Sequence, residues 1–152
     1  MKYTLTVDIN LPLLDVIKLF DDPDNWSKWR DGFISYEALR GLPGEEGSET
    51  KLVNRVGGRT VEMTETVEVK NLPEEITCTY EAPGNWVGAW NRVNNRFGEL
   101  AANKTQWEFE SEFRCRGLLK VMSLLMPSMF QIASLREMNN FKRFVENRQE
   151  NP

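Results

Sequence analysis

The sequence predicts an α+β protein: a curved seven-stranded antiparallel sheet, two short helices near its start, and one long C-terminal helix across the concave face. Three observations predict it. From Gly32 to about Cys115 apolar and polar residues alternate in runs separated by short turns, the pattern of an antiparallel meander. From Leu118 onward the apolar spacing changes to three and four, which marks an amphipathic helix. A short alternating run and two brief helical patterns precede the meander, so one further strand is left to complete the sheet.

Each element has a local reason. Tyr3, Leu5, Val7 and Ile9 share one face of a first strand, because side chains alternate across a pleat. Pro12 suits the first turn of a helix, and Leu13, Val16, Ile17 and Phe20 follow at helical spacing. Asp21-Asp22-Pro23-Asp24 ends that helix, and Asp22 or Asp24 caps a second one carrying Trp26 and Trp29 as a plug against the sheet. A strand near Phe33–Arg40 closes in the turn-rich run Gly41–Gly47. Ser48–Val56 and Arg59–Val69 are joined by Gly57-Gly58, a pair that tight hairpins prefer. Asn71-Leu72-Pro73-Glu74 makes the next turn, and Ile76, Cys78 and Tyr80 share a face of the strand that Pro83-Gly84 ends. Strands near Trp86–Phe97 and Lys104–Cys115 are connected through Gly98 to Asn103.

The final segment places Leu118, Met122, Leu125, Met129, Ile132, Leu135, Met138, Phe141 and Val145 on one helical stripe. Arg136, Glu137, Lys142, Arg143 and Glu146 fall mainly on its outer face. Pro127 cannot donate to the carbonyl of Ser123, so the helix kinks or restarts there. With no repeat, low-complexity stretch or linker, residues 1–152 read as one domain.

Composition removes several functions. The chain has 152 residues, 40% hydrophobic and 28% charged, which suits a folded globular protein. It contains no His, which excludes a Ser-His-Asp triad, a Cys-His pair, an HExxH helix and an imidazole base. A net charge of -4 argues against nucleic acid as a partner. Asp21, Asp22 and Asp24 lack the glycine and distal Glu of a calcium loop, and Cys78 and Cys115 without His make no zinc site. No metal or cofactor is therefore expected. The alternating N-terminus does not resemble a secretory signal, and two isolated Cys read as reduced thiols, so the expected location is the cytoplasm.

A curved sheet gripping one helix seldom closes at both ends, and an apolar cavity is expected between them. The element order, with Asp22-Pro23-Asp24-Asn25-Trp26-Ser27-Lys28-Trp29, Tyr80-Glu81-Ala82-Pro83-Gly84 and Lys104-Thr105-Gln106-Trp107, resembles the SRPBCC or START-like superfamily over nearly the whole chain. That resemblance implies the helix-grip fold shared by birch-pollen-type allergens, lipid-transfer START domains and polyketide cyclase/dehydrase-like proteins. The segments favour that last branch but contain no catalytic motif.

Candidate site residues follow from strand phase. Glu65 shares the phase of Val61, Met63, Val67 and Val69, so its carboxylate is paired with an Arg, protonated, or at a wet rim. The functional alternative makes it a polar anchor or an acid/base, with Tyr80 and Arg55 as companions. Where Val87, Ala89, Val93 and Phe97 face inward, Asn91 and Asn95 do too, either bonding a ligand or satisfying backbone at a bulge near Gly88. The opposite phase would turn Arg92 and Arg96 inward. Trp107, Phe109 and Phe113 form an aromatic row that reads first as core. With Trp26, Trp29, Met63, Tyr80, Met122, Leu125 and Met129 it also makes an apolar cavity wall. Leu119, Val121, Leu124, Met126 and Phe130 exceed what one helix face buries, so they form a pocket lip, a dimer contact or a transient membrane contact, in that order. Arg114, Arg116 and Lys120 are too few for a stable membrane anchor.

The expected function is binding or transport of a hydrophobic small molecule (a lipid, a quinone or a polyketide-like compound) by a monomer or homodimer. Two alternatives remain open: a cofactor-independent cyclase/dehydratase-like enzyme with Glu65 as acid/base, and a protein-interaction or co-chaperone-like module.

Overall fold

The structure is a computed structural model that describes residues 1–83 and 89–150. Seven strands form one antiparallel sheet in the order β1-β7-β6-β5-β4-β3-β2. They are β1 (Lys2–Ile9), β2 (Phe33–Arg40), β3 (Glu49–Val56), β4 (Arg59–Asn71), β5 (Glu75–Ala82), β6 (Ala89–Ala101) and β7 (Lys104–Cys115). The meander pairs each strand from β2 to β7 with the next one. β1 then adds to the free edge of β7, with Tyr3 opposite Ser111 and Val7 opposite Trp107. This is the curved sheet that the alternation predicts, with the C-terminal helix across its concave face.

Between β1 and β2 lie α1 (Leu13–Phe20), a 3-10 turn at Pro23–Asn25 and α2 (Trp26–Trp29). Asp22 caps the turn: its Oδ1 accepts from the Asp24 N–H at 3.0 Å. Pro12 is the residue before α1 rather than its first helical position. The stripe of α1 is buried at Val16 and Phe20, with Leu13 and Ile17 packed beside the core.

Two turns show why glycine stands where it does. Gly57 and Gly58 both have positive φ, +55° and +79°, which a two-residue hairpin loop needs and other residues resist. Gly32 has φ +70°, and its carbonyl accepts from the Arg55 N–H at 2.7 Å. A Cβ there would lie 2.2 Å from the Arg55 carbonyl oxygen, so this close approach of α2's exit to β3 requires glycine.

Some boundaries move. β6 runs on to Ala101 and pairs it with Lys104, so the β6–β7 turn is shorter than the expected Gly98–Asn103 connection. The expected start of that strand near Trp86, the bulge near Gly88 and the inward Val87 lie outside the described residues. β2 is the far edge of the sheet and is largely exposed, so it has no buried face.

The restart expected at Pro127 is present, and the correction is how sharply the chain turns there. The stripe from Leu118 to Val145 is not one continuous helix: α3 (Leu118–Leu125) and α4 (Ser128–Glu150) meet at 91°. Pro127 removes the donor, and Met126, at φ -134° and ψ 67°, leaves the helical region before the chain restarts. Only α4 crosses the sheet, burying Met138, Phe141 and Val145, while no residue of α3 is buried. The core joins that stripe to Ile9, Val16, Phe20, Leu52, Val67 and Trp107.

Candidate functional site

A cavity of about 430 Å³ lies between the inner sheet face and α4. Phase puts its walls there. On β6, Val93 and Phe97 are buried, so Asn91 and Asn95 point the same way, while Arg92 and Arg96 pair outside with Glu68 and Glu108. On β7, Trp107 and Phe109 face the cavity with Phe113. Met63 from β4, Tyr80 from β5, Arg55 from β3 and Trp29 from α2 complete the expected set that lines it.

Five expected wall residues lie elsewhere. Met122 and Leu125 belong to α3, which the Pro127 break turns away, and Met129 stands at the start of α4 before that helix reaches the cavity. Trp26 is buried but packs edge-on to Tyr36, with centroids 5.2 Å apart, and takes the Arg30 guanidinium on its face at 4.0 Å. Glu65 is 1% exposed and sits behind the wall, where its Oε2 accepts from Arg30 Nη1 at 3.0 Å. Of the states open to that carboxylate, the structure has the Arg pair, which holds Glu65 off the cavity surface.

The polar end of the cavity contains groups that the sequence reading missed. Arg30 is the C-cap of α2, a position with no periodic signal. Burial is the largest influence and works against its charge, but Glu65, with Tyr80 and Glu137, together outweigh it and hold the guanidinium protonated more firmly than usual. Glu137 also lines the cavity, although helical spacing put it on the outer face. It precedes buried Phe141 by four positions, and at that spacing it belongs to the inner face. Glu137 Oε2 accepts from the Asp31 N–H at 3.3 Å. Burial raises its pKa above the ordinary carboxylate value, although Arg30 and the Asp31 N–H pull it back down. Arg136 closes the rim through a 2.7 Å ion pair with Asp31.

Tyr80 has its phenol pushed well above the ordinary value, first by burial and then by the Glu65 carboxylate. It therefore serves at neutral pH as a hydroxyl rather than a phenolate. Asn95 Oδ1 accepts from Trp107 Nε1 at 2.8 Å, and Asn91 Oδ1 accepts from Ser111 Oγ at 2.7 Å. These bonds consume the amide oxygens and orient the NH₂ groups, for which no hydrogen bond is found among the described residues. Trp29 Nε1 and Arg30 Nε are buried donors without a partner among the described residues. The wall is thus mostly apolar with two amide N–H donors from Asn91 and Asn95, which suits an oily molecule carrying acceptor oxygens. Among the described residues no group of three His, Cys, Asp or Glu side chains is placed to hold a metal ion.

This is a sheet-and-helix container with a hollow, polar-tipped interior, a class defined by its cavity rather than by a catalytic motif. The chain belongs to the family described as polyketide cyclase/dehydrase and lipid transport, which matches residues 1–146. Membership places it among proteins that handle hydrophobic small molecules. No curated protein matches it in sequence. Solved structures share the fold at low identity. A conserved protein from Geobacillus kaustophilus is 12% identical with a TM-score of 0.82, covering 97% of this chain and 96% of that one. The Zhui aromatase/cyclase from a Streptomyces species is 16% identical with a TM-score of 0.78, covering 97% and 94%. Truncated norcoclaurine synthase from Thalictrum flavum is 9% identical with a TM-score of 0.69, covering 95% and 92%.

Proposed function

We propose that the protein is a cytoplasmic carrier or sensor that binds one hydrophobic, oxygen-bearing small molecule between the sheet and α4. The observation that carries this reading is the 430 Å³ cavity itself, which falls within the usual range for small-molecule sites. Its aromatic and Met walls supply the burial energy, and the amide N–H groups of Asn91 and Asn95 supply orientation. A carbonyl, quinone or ester oxygen would satisfy donors that are otherwise unpaired.

Native mass spectrometry of protein purified from its producing cells tests this. The expected result is a mass excess that disappears after organic extraction and matches an extracted apolar compound. Protein that carries no such mass, and acquires none from the cell's lipid extract, contradicts the reading.

Glu137 favours a second reading, in which the bound molecule is also transformed. A carboxyl group held above its ordinary pKa at the cavity wall is suited to proton transfer, and the cavity would supply positioning. In that case Glu137→Gln abolishes turnover while ligand retention persists. Glu65→Gln would instead act through the placement of Arg30, because Glu65 does not reach the cavity.

A further inference from the structure

The segment between Glu112 and Glu137 contains no acidic residue, yet it holds Arg114, Arg116, Lys120 and Arg136 in a chain whose net charge is -4. Arg114 pairs with Glu112 and Arg136 with Asp31, whereas Arg116 and Lys120 have no ion pair among the described residues. The same segment carries the most exposed apolar surface. Every residue of α3 except Lys120 and Ser123 is apolar, none is buried, and Leu124 and Leu125 are 75% and 76% exposed. Ile132, on the first turns of α4, continues this surface. A helix apolar nearly all round is normally interior, so this one lacks its covering partner.

The chain on either side of this surface reaches the cavity. Phe113, at the end of β7, and Ala133, Ser134 and Arg136, at the start of α4, line the cavity and flank α3 in sequence. Arg55 and Val56, from the tip of the β3–β4 hairpin, add a cation and an exposed aliphatic group to the same rim.

We propose that α3 and the first turns of α4 dock reversibly on an anionic lipid surface, lying at its interface beside the mouth of the cavity. Charge decides between occupants. A second copy seated on the same surface would bring Arg116 and Lys120 against a segment with no carboxylate to answer them. Anionic headgroups answer both, while Leu118, Val121, Leu124 and Leu125 enter the acyl boundary. Spanning is not available to this pair of helices. Among the described residues no single helix is long and apolar enough to cross a membrane, and α4 is held in the core by Met138, Phe141 and Val145. Docking of this kind would let an oily guest pass between lipid and cavity without crossing water.

Sedimentation with sucrose-loaded vesicles tests the proposal on the full chain. Equimolar phosphatidylglycerol and phosphatidylcholine vesicles should pull the protein down, pure phosphatidylcholine far less, and added salt should weaken the binding. Arg116→Gln with Lys120→Gln should weaken the anionic binding by about 30-fold, and Leu124→Asp should bring it to background. Binding of a soluble hydrophobic dye in the cavity should persist in both variants, so loss of docking is distinguishable from loss of the cavity reading. Three results overturn the proposal: equal binding to both vesicle types, no binding to either, or Leu124→Asp bound like the parent. A dimer in light scattering that Leu124→Asp dissociates also overturns it, because a second copy then covers the surface.

Discussion

Arg30 is a cation with its guanidinium against Trp26 and its charge answered by Glu65, and the side chains of the two are 15% and 2% exposed. Replacing Glu65 with Leu leaves that cation buried and unpaired, which should cost about 3–5 kcal/mol in chemical unfolding. Adding Arg30→Met removes the orphaned charge, so the double variant should be more stable than Glu65→Leu alone. A double variant less stable than the single would mean that Arg30 is not held by this pair. Glu137 gives a pH-dependent prediction. Its folded pKa is raised, so its contribution to stability is fully present below the unfolded carboxylate value of about 4.3 and is lost as pH rises through the folded value. Glu137→Gln cannot ionise, and its Oε1 can still accept from the Asp31 N–H. Thermal unfolding across that window should show a falling contribution in the parent that the variant lacks, leaving the variant relatively more stable at neutral pH. At this scale strand alternation ties Asn91 and Asn95 to Val93 and Phe97, and Glu65 to Met63 and Val67, whereas which face of β6 turns inward is decided by packing and not by spacing. Arg30 is not legible: it ends a four-residue helix, and its partner lies on a strand far along the chain.

Among the elements, α3 and α4 are the clearest contrast. Both show apolar residues at helical spacing, but only α4 buries them. Phe141→Ala should therefore destabilise by about 3–5 kcal/mol, since it opens a space among Phe20, Trp29 and Trp107. Leu125→Ser should stay within about 0.5 kcal/mol of the parent. Chemical denaturation of the two variants checks this, and a comparable loss in both would mean that α3 is packed in solution. Strands and hairpins are legible because short turns such as Gly57-Gly58 leave little choice of pairing partner. The break at Pro127 is legible as a break, whereas its angle of 91° is not. That angle depends on how α3 lies beside β7, which is long-range packing rather than local spacing. Periodicity predicts a shared face only for a helix that continues, which is why spacing alone places Met122, Leu125 and Met129 on the cavity wall.

For the whole molecule, the sequence foretells a hollow through element order: a meander closed by β1 and spanned by a terminal helix must cover a broad concave face with a narrow rod. The size of the hollow and its polar end depend on which side chains stop short of each other, and one sequence does not show that. The central claim is that this hollow takes a hydrophobic molecule. Calorimetric titration with 1-anilinonaphthalene-8-sulfonate tests it most directly, using the parent chain, the wall variant Met63→Trp and the exterior variant Leu124→Asp. One dye per chain is predicted for the parent and for Leu124→Asp, with binding lost in a folded Met63→Trp. Dye bound equally by Met63→Trp, or bound by the parent only through α3 so that Leu124→Asp abolishes it, would contradict the account.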